Sequence, residues 1–138
     1  MPIITERFNI STRGFTDIID ITEKVKEAIK KHRPENGQVM VYVPGSTASI
    51  TTIEYEPGLL KDLPEAFEKF APRDKTYHHD ETWQDGNGYA HVRASMVGNS
   101  QSFPVMQYEL VLGTWQQIIL IDFDNKSRTR CVYVQIIY

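Results

Sequence analysis

Residues Gln116–Tyr138 read QQIILIDFDNKSRTRCVYVQIIY, and the two apolar runs in this stretch decide the fold. IILIDF and CVYVQIIY are short, rich in β-branched and aromatic residues, and bounded by polar ones. That pattern predicts strands rather than helical segments. A nearly unbroken apolar run leaves no face for water, so both are expected at the centre of a sheet. Asp124-Asn125-Lys126-Ser127 supplies turn chemistry between them, and the reading is an antiparallel hairpin of Gln116–Phe123 with Arg130–Tyr138. Cys131 alternates into the second run and reads as a small core residue rather than a nucleophile.

Working outward, Gln101–Met106 and Glu109–Leu112 are further strands, as are Ile3–Ile10, Gln38–Val43 and Ser49–Tyr55. Thr12-Arg13-Gly14 reads as a turn after the first of them. Ile21, Val25, Ala28 and Ile29 fall at helical spacing, with Asp20 and Glu23 placed as a capping box. Pro34 and Gly37 stop that helix, and Lys30, Lys31, His32 and Arg33 complement the negative end of its dipole. Leu59, Leu60, Leu63, Phe67 and Phe70 mark a second helical region. Pro64 has no donor for the preceding turn, so a break is expected there, with Asp62 near the cap of a second piece. Ala90, Ala94 and Val97 mark a third helix, on which Asn87, His91 and Ser95 share a face. The class is α+β, mainly antiparallel β-sheet with two or three helices packed on one side. One domain spanning 1–138 is the expectation at this length.

Composition narrows the partners. With 15 Lys and Arg against 18 Asp and Glu, the formal charge is −3, which offers no basic footprint for nucleic acid. No apolar run approaches a membrane span, and the N-terminus lacks the basic-then-apolar order of a signal peptide. A single cysteine among 138 residues cannot pair internally and suits a reducing compartment, so the expected location is cytoplasmic.

The chemistry-bearing residues are concentrated in Tyr77–Gly98, YHHDETWQDGNGYAHVRASMVG. His79 and His91 are two imidazoles near carboxylates, suited to a divalent ion such as Zn2+ or to proton transfer near neutral pH. His78 reads as a surface residue. Arg93 offers a bidentate fork for phosphate or carboxylate, although two residues beyond His91 the side chains of a helix diverge. Glu54, Glu56 and Asp62 are oxygen ligands available to Mg2+ bound with a phosphate. Ser46, Thr47 and Ser49 lie in a small polar link after Pro44-Gly45, which reads as a hairpin-like turn or as a cradle of amides and hydroxyls for an anion. Trp83 and Trp115 read first as core aromatics and second as stacking surfaces for a planar ring.

Five ordered blocks carry a resemblance to a known family. They are GSTAS at Gly45–Ser49, HDETW at His79–Trp83, DGN at Asp85–Asn87, HVRAS at His91–Ser95 and LGTWQ at Leu112–Gln116. In this order they resemble the YjbQ-type family, whose members are often named secondary thiamine-phosphate synthase enzymes, and the resemblance covers nearly the whole chain. It implies an α+β homotrimer with sites near subunit boundaries. It also implies a reaction that joins an aminopyrimidine pyrophosphate to a thiazole phosphate with loss of pyrophosphate. The family's motif residues fall here on Glu54, Asp62, His79, Asn87, His91, Arg93, Thr114, Trp115 and Gln116. Many members carry histidine where this chain has Gly45, so a role needing that imidazole is missing or supplied elsewhere.

These readings combine into an expected small-molecule enzyme acting on phosphorylated heterocycles. His79, His91, Glu54 and Asn87 are its catalytic candidates. Arg93, Ser46, Thr47, Ser49, Thr114, Trp115 and Gln116 are candidates for holding a small anionic or phosphorylated substrate. A divalent metal, Mg2+ or Zn2+, is expected on His79, His91 and Asp62. The alternatives are a trimeric binder of metal or anionic metabolite without turnover, and a metal-dependent hydrolase.

Overall fold

Every residue from Ile118 to Asp122 is buried, which requires cover on both faces of that strand, and the architecture follows from supplying it. The computed structural model describes residues 1–138. In chain order the elements are β1 (Ile3–Thr12), β2 (Asp17–Asp20), α1 (Thr22–His32), β3 (Asn36–Tyr42), β4 (Ala48–Glu54), α2 (Leu59–Phe70), α3 (His78–Trp83), α4 (Gly88–Val97), β5 (Ser100–Met106), β6 (Glu109–Leu110), β7 (Gln116–Asp122) and β8 (Arg128–Ile137). They build a five-stranded antiparallel sheet in the order β1-β8-β3-β5-β6 and a three-stranded one in the order β2-β7-β4. Ile118 and Leu120 of β7 face a core shared with the larger sheet and α1. Ile119, Ile121 and Phe123 face a second core closed by Phe67 of α2 and by Tyr89, Ala90 and Ala94 of α4. The expected class is borne out. The helices number four because the polar stretch after Tyr77 coils into α3, and none of them is long and apolar enough to cross a membrane.

The expected hairpin is corrected. β7 and β8 belong to different sheets, and the link between them turns the chain from one layer to the other. β8 instead pairs with β1 from Ile3↔Ile137 to Thr12↔Arg128, and with β3 on its other side. β8 alternates between buried and half-buried residues, so it has one core face, whereas β7 has two. That difference decides which sheet each can join. Cys131 lies half-buried on the outer face of the larger sheet, opposite Asn9, rather than in the core. The Gly45–Ser49 link likewise carries the chain between sheets rather than closing a hairpin of β3 with β4.

Two helix starts differ from expectation. At α1, Asp20 Oδ1 accepts from the Thr22 N–H at 3.0 Å and from its hydroxyl at 2.7 Å, while Glu23 turns toward Lys26 instead of completing a box. At α2, Glu56 accepts the Gly58 and Leu59 N–H groups at 2.8 and 2.6 Å. The helix then runs unbroken through Pro64, and Asp62 lies in its first turn rather than at a second cap. The ring costs one donor to the Leu60 carbonyl, and burial of Phe67 against Phe123, rings 4.9 Å apart, holds the helix in place despite that loss.

Candidate functional site

One carboxylate joins the two helices that carry the histidines. Asp80 Oδ2 accepts the Tyr77 N–H at 3.0 Å, at the start of α3, and Oδ1 accepts the Gly88 N–H at 2.9 Å, at the start of α4. Gly88 is required there, because a Cβ would lie 2.5 Å from the Tyr77 Cβ. The two helices so held bring the His79 and His91 rings to 4.3 Å between centroids. His79 Nε2 lies 3.3 Å from Asp85 Oδ2. The other oxygen of Asp85 accepts the Asn87 N–H at 3.1 Å, which fixes the carboxylate toward the ring. Ligand atoms of His79, Asp80 and Asp85 all lie within 4.8 Å of one another.

The electrostatics separate the two imidazoles. Burial, and then the neighbouring His79, hold the His91 pKa below the ordinary histidine value, so His91 is a neutral ring at neutral pH. Burial alone would raise the Asp85 carboxyl. The Asn87 N–H and His79 outweigh it and hold the group below its usual range. The site therefore pairs an acceptor-only carboxylate with one imidazole and places a neutral imidazole beside them.

Other residues singled out in the sequence lie elsewhere. Arg93 is buried, and its guanidinium points away from the histidines, donating to Ala71 O at 2.9 Å, Thr16 Oγ1 at 2.8 Å and Glu68 Oε1 at 2.6 Å. Asn87 is buried, and its side-chain oxygen accepts the Asn125 N–H at 3.2 Å. Thr47 and Ser49 are buried, donating to Asp124 Oδ2 and Ala94 O respectively, while Ser46 is exposed. Glu54 pairs in register with Gln116 at the far end of β4 from Ala48 and Asp122, about 20 Å along the strand. Gln116 there braces the loop before it, accepting from Gly113 N and donating to Thr52 Oγ1. Thr114 and Trp115 are exposed beside it. Neither tryptophan is a core residue, since Trp83 and Trp115 are each 71% exposed. Asp62 is exposed on α2 and stands outside the histidine cluster, where Asp80 and Asp85 supply the carboxylates.

A second polar centre was missed from the sequence. Arg130 makes a forked contact with Asp122, 2.8 Å at each oxygen, and donates to Thr47 Oγ1 at 2.7 Å. Thr12 donates to Asp122 at 2.6 Å, and Arg128 reaches Asp124 at 3.1 Å. Asp124 Oδ1 is buried without a hydrogen-bond partner. A signal was present: Asp122 and Asp124 have the parity that faces the larger sheet, and Arg128 and Arg130 share a parity at the start of β8. Charges on the core face of a buried strand need partners, and here Arg130 and Arg128 supply them to Asp122 and Asp124.

Comparison with known proteins agrees with this fold. The family model described as UPF0047 protein YjbQ-like matches residues 6–138. A UPF0047 protein from Archaeoglobus fulgidus is 40% identical over 126 residues, covering 91% of this chain and 95% of the relative. The UPF0047 protein YugU of Bacillus subtilis is 35% identical over 127 residues, 91% of this chain and 93% of that one. Among solved structures, a YbjQ-like protein of unknown function from Sulfolobus solfataricus superposes with a TM-score of 0.92 at 31% identity, covering 98% of this chain and 96% of the other. With the match running through both histidine helices and both sheets, the chain belongs to the YjbQ-like UPF0047 family.

Proposed function

We propose that the protein is an enzyme acting on a small phosphorylated molecule, with a divalent ion held by His79, Asp85 and Asp80 and with His91 as the proton-transfer group beside it. The observation that carries this reading is the convergence of one imidazole and two carboxylates within 4.8 Å of one another, next to a second imidazole whose ring centroid is 4.3 Å from that of His79. The donors fit such an ion. Metal–ligand distances of about 2.0–2.2 Å put tetrahedral donors roughly 3.3 Å apart, within reach of small rotations of His79 and Asp85. Asp80 keeps its backbone bonds, because each carboxylate oxygen has a second lone pair. A nitrogen with carboxylate oxygens suits Zn2+, and the oxygen share also admits Mg2+. Bound there, the ion would neutralise phosphate charge. The Asn87 N–H fixes the carboxylate of Asp85, and a neutral His91 can accept a proton at neutral pH.

The thiamine-phosphate synthase reaction is the finer form of this proposal. Loss of pyrophosphate needs positive charge, and since the Arg93 guanidinium points away from the histidines, toward Ala71, Thr16 and Glu68, that charge is assigned to the ion. Trp115, exposed beside Glu54, is left to stack on the pyrimidine. Assembly as a homotrimer is part of the proposal, because it would let one subunit's Glu54–Trp115 end approach a neighbour's histidines. Calorimetric titration with Zn2+, Mn2+ and Mg2+, and then with pyrophosphate and thiamine phosphate, tests it. Binding of an ion that weakens about tenfold or more in His79→Ala and Asp85→Asn, and that strengthens pyrophosphate binding, is the expected result. No ion binding below about 1 mM would overturn the metal site. Ligand binding without product in turnover assays would overturn the enzyme.

A further inference from the structure

Two residues beyond His91, and on the opposite side of α4, Arg93 borders a cavity of about 120 Å³ between α2, α4 and the loop after β1. Arg93, Arg73, Glu68, Tyr89, Thr16 and Phe15 surround it. The Arg93 side chain is 3% exposed and donates three hydrogen bonds, one each from Nε, Nη1 and Nη2. A guanidinium has five N–H groups, so one on each terminal nitrogen is left over. The Arg73 guanidinium lies 4.2 Å over the Phe15 ring and 6.0 Å from the Tyr89 ring. Only its backbone N–H reaches Glu68. The Tyr89 hydroxyl is buried with no hydrogen-bond partner.

The backbone around this cavity is strained. Gly14, Phe15 and Thr16 have φ of 74°, 56° and 63° in succession, and a β-branched residue at positive φ is a genuine outlier. That turn places Thr16 Oγ1 against Arg93 and the Phe15 ring against Arg73. Two guanidinium charges against one carboxylate leave the lining with an excess of one positive charge. The volume is that of about four waters at roughly 30 Å³ each, enough for one tetrahedral oxyanion, with exposed Arg73 at its mouth.

We propose that this cavity binds a single phosphate-class oxyanion, held by the spare donors of Arg93, the Arg73 guanidinium and the Tyr89 hydroxyl, at a site separate from the histidines. Charge-assisted hydrogen bonds from two guanidinia supply the affinity, and the buried phenol supplies a donor that excludes neutral, non-accepting ligands. The anion would tie the Phe15–Thr16 turn to α2 and α4, so its occupancy would be read as stability of that corner.

The test is calorimetric titration of the full chain with inorganic phosphate and sulfate, with chloride at matched ionic strength as control. Saturable phosphate or sulfate binding is expected, weakened about tenfold or more in Arg73→Gln. Arg73 is exposed, so that variant should fold. Tyr89→Phe should also weaken binding, and His79→Ala should leave it unchanged. Three outcomes would overturn the proposal. One is no saturation in the unaltered protein. Another is binding that survives intact in both Arg73→Gln and Tyr89→Phe. The third is binding lost in His79→Ala but kept in Arg73→Gln, which would move the anion to the histidine cluster. Titration with a phosphomonoester and with acetate, run alongside, separates a phosphoryl group on a larger molecule from a carboxylate. Acetate binding as tightly as phosphate would overturn the phosphate class.

Discussion

At the scale of single residues, the Asp122–Arg130 pair shows how a buried charge is tolerated and what its removal would cost. Burial alone would raise the Asp122 carboxyl. Arg130 and the Thr12 hydroxyl outweigh it and hold the pKa below the ordinary carboxylate value. A depressed acid contributes stability that is present above its unfolded pKa, about 3.9, and is lost as pH falls through the lower folded value. Asp122→Asn should therefore destabilise the protein near neutral pH by about 3 kcal/mol, the low end for breaking a buried pair, because Asp124 still lies 3.7 Å from Arg130. Urea denaturation at pH 7 and at pH 3 checks both claims: the gap between variant and parent should narrow in acid, and a constant gap would mean the pair is not what holds Asp122. The histidine pair was legible from residue types alone, since His79 and His91 do converge, but its carboxylates were not, because Asp80 and Asp85 stand where Asp62 was expected. Arg93 was not legible as a buried residue, because sequence gives its charge but not the direction of a side chain that can reach either side of α4.

At the scale of elements, strands and long helices were readable because each carries its own period, whereas partners were not. β7 and β8 looked like a hairpin by proximity and turn chemistry. What separated them was that β7 needs two covered faces and β8 one, a property visible only when every layer is in place. Pro64 misled in the opposite sense: its local cost is real, but the Phe67 side of α2 is anchored and Glu56 caps the start. Replacing Pro64 with Ala should therefore stabilise by about 2 kcal/mol, the roughly 3 kcal/mol interior penalty less about 1 for the freer unfolded chain. A lower melting temperature in that variant would mean the ring's own packing matters more than its missing donor. The join of α3 to α4 makes a sharper prediction. Gly88→Ala places a methyl against Tyr77, a clash costing about 1–3 kcal/mol, and it should pull α3 away from α4. Ion binding at His79 and Asp85 should weaken with it, and unchanged binding would show that α3 is held by contacts other than Asp80 and Gly88.

At the scale of the whole molecule, the larger sheet leaves its outer face without a helix, since the buried apolar helix residues all belong to the two inner cores. That face carries Tyr42 and Tyr133, rings 6.4 Å apart, with Ile3 and Met106 exposed at 62% and 57%. It is a reasonable surface for neighbouring copies in the proposed homotrimer. The proposed assembly also makes a prediction about polar residues that lie far apart in one chain. Glu54, Trp115 and Gln116 gather at one end of the smaller sheet, while Asp85, Asn87 and the histidines gather by Asn125 near the other. If one site needs both ends, it has to be completed across a boundary, and mixed assemblies should reveal it. Glu54→Gln and His79→Ala proteins should each lose thiamine phosphate binding. Unfolded together and refolded as random 1:1 mixtures, they should recover about one quarter of the sites, because each boundary draws one unaltered Glu54 and one unaltered His79 independently in a closed ring. Calorimetric site counts on the mixture, with mass measurement to establish the oligomer, read this directly. Zero recovery in an intact trimer would place both residues' requirement within a single chain, and a monomer would remove the shared site altogether.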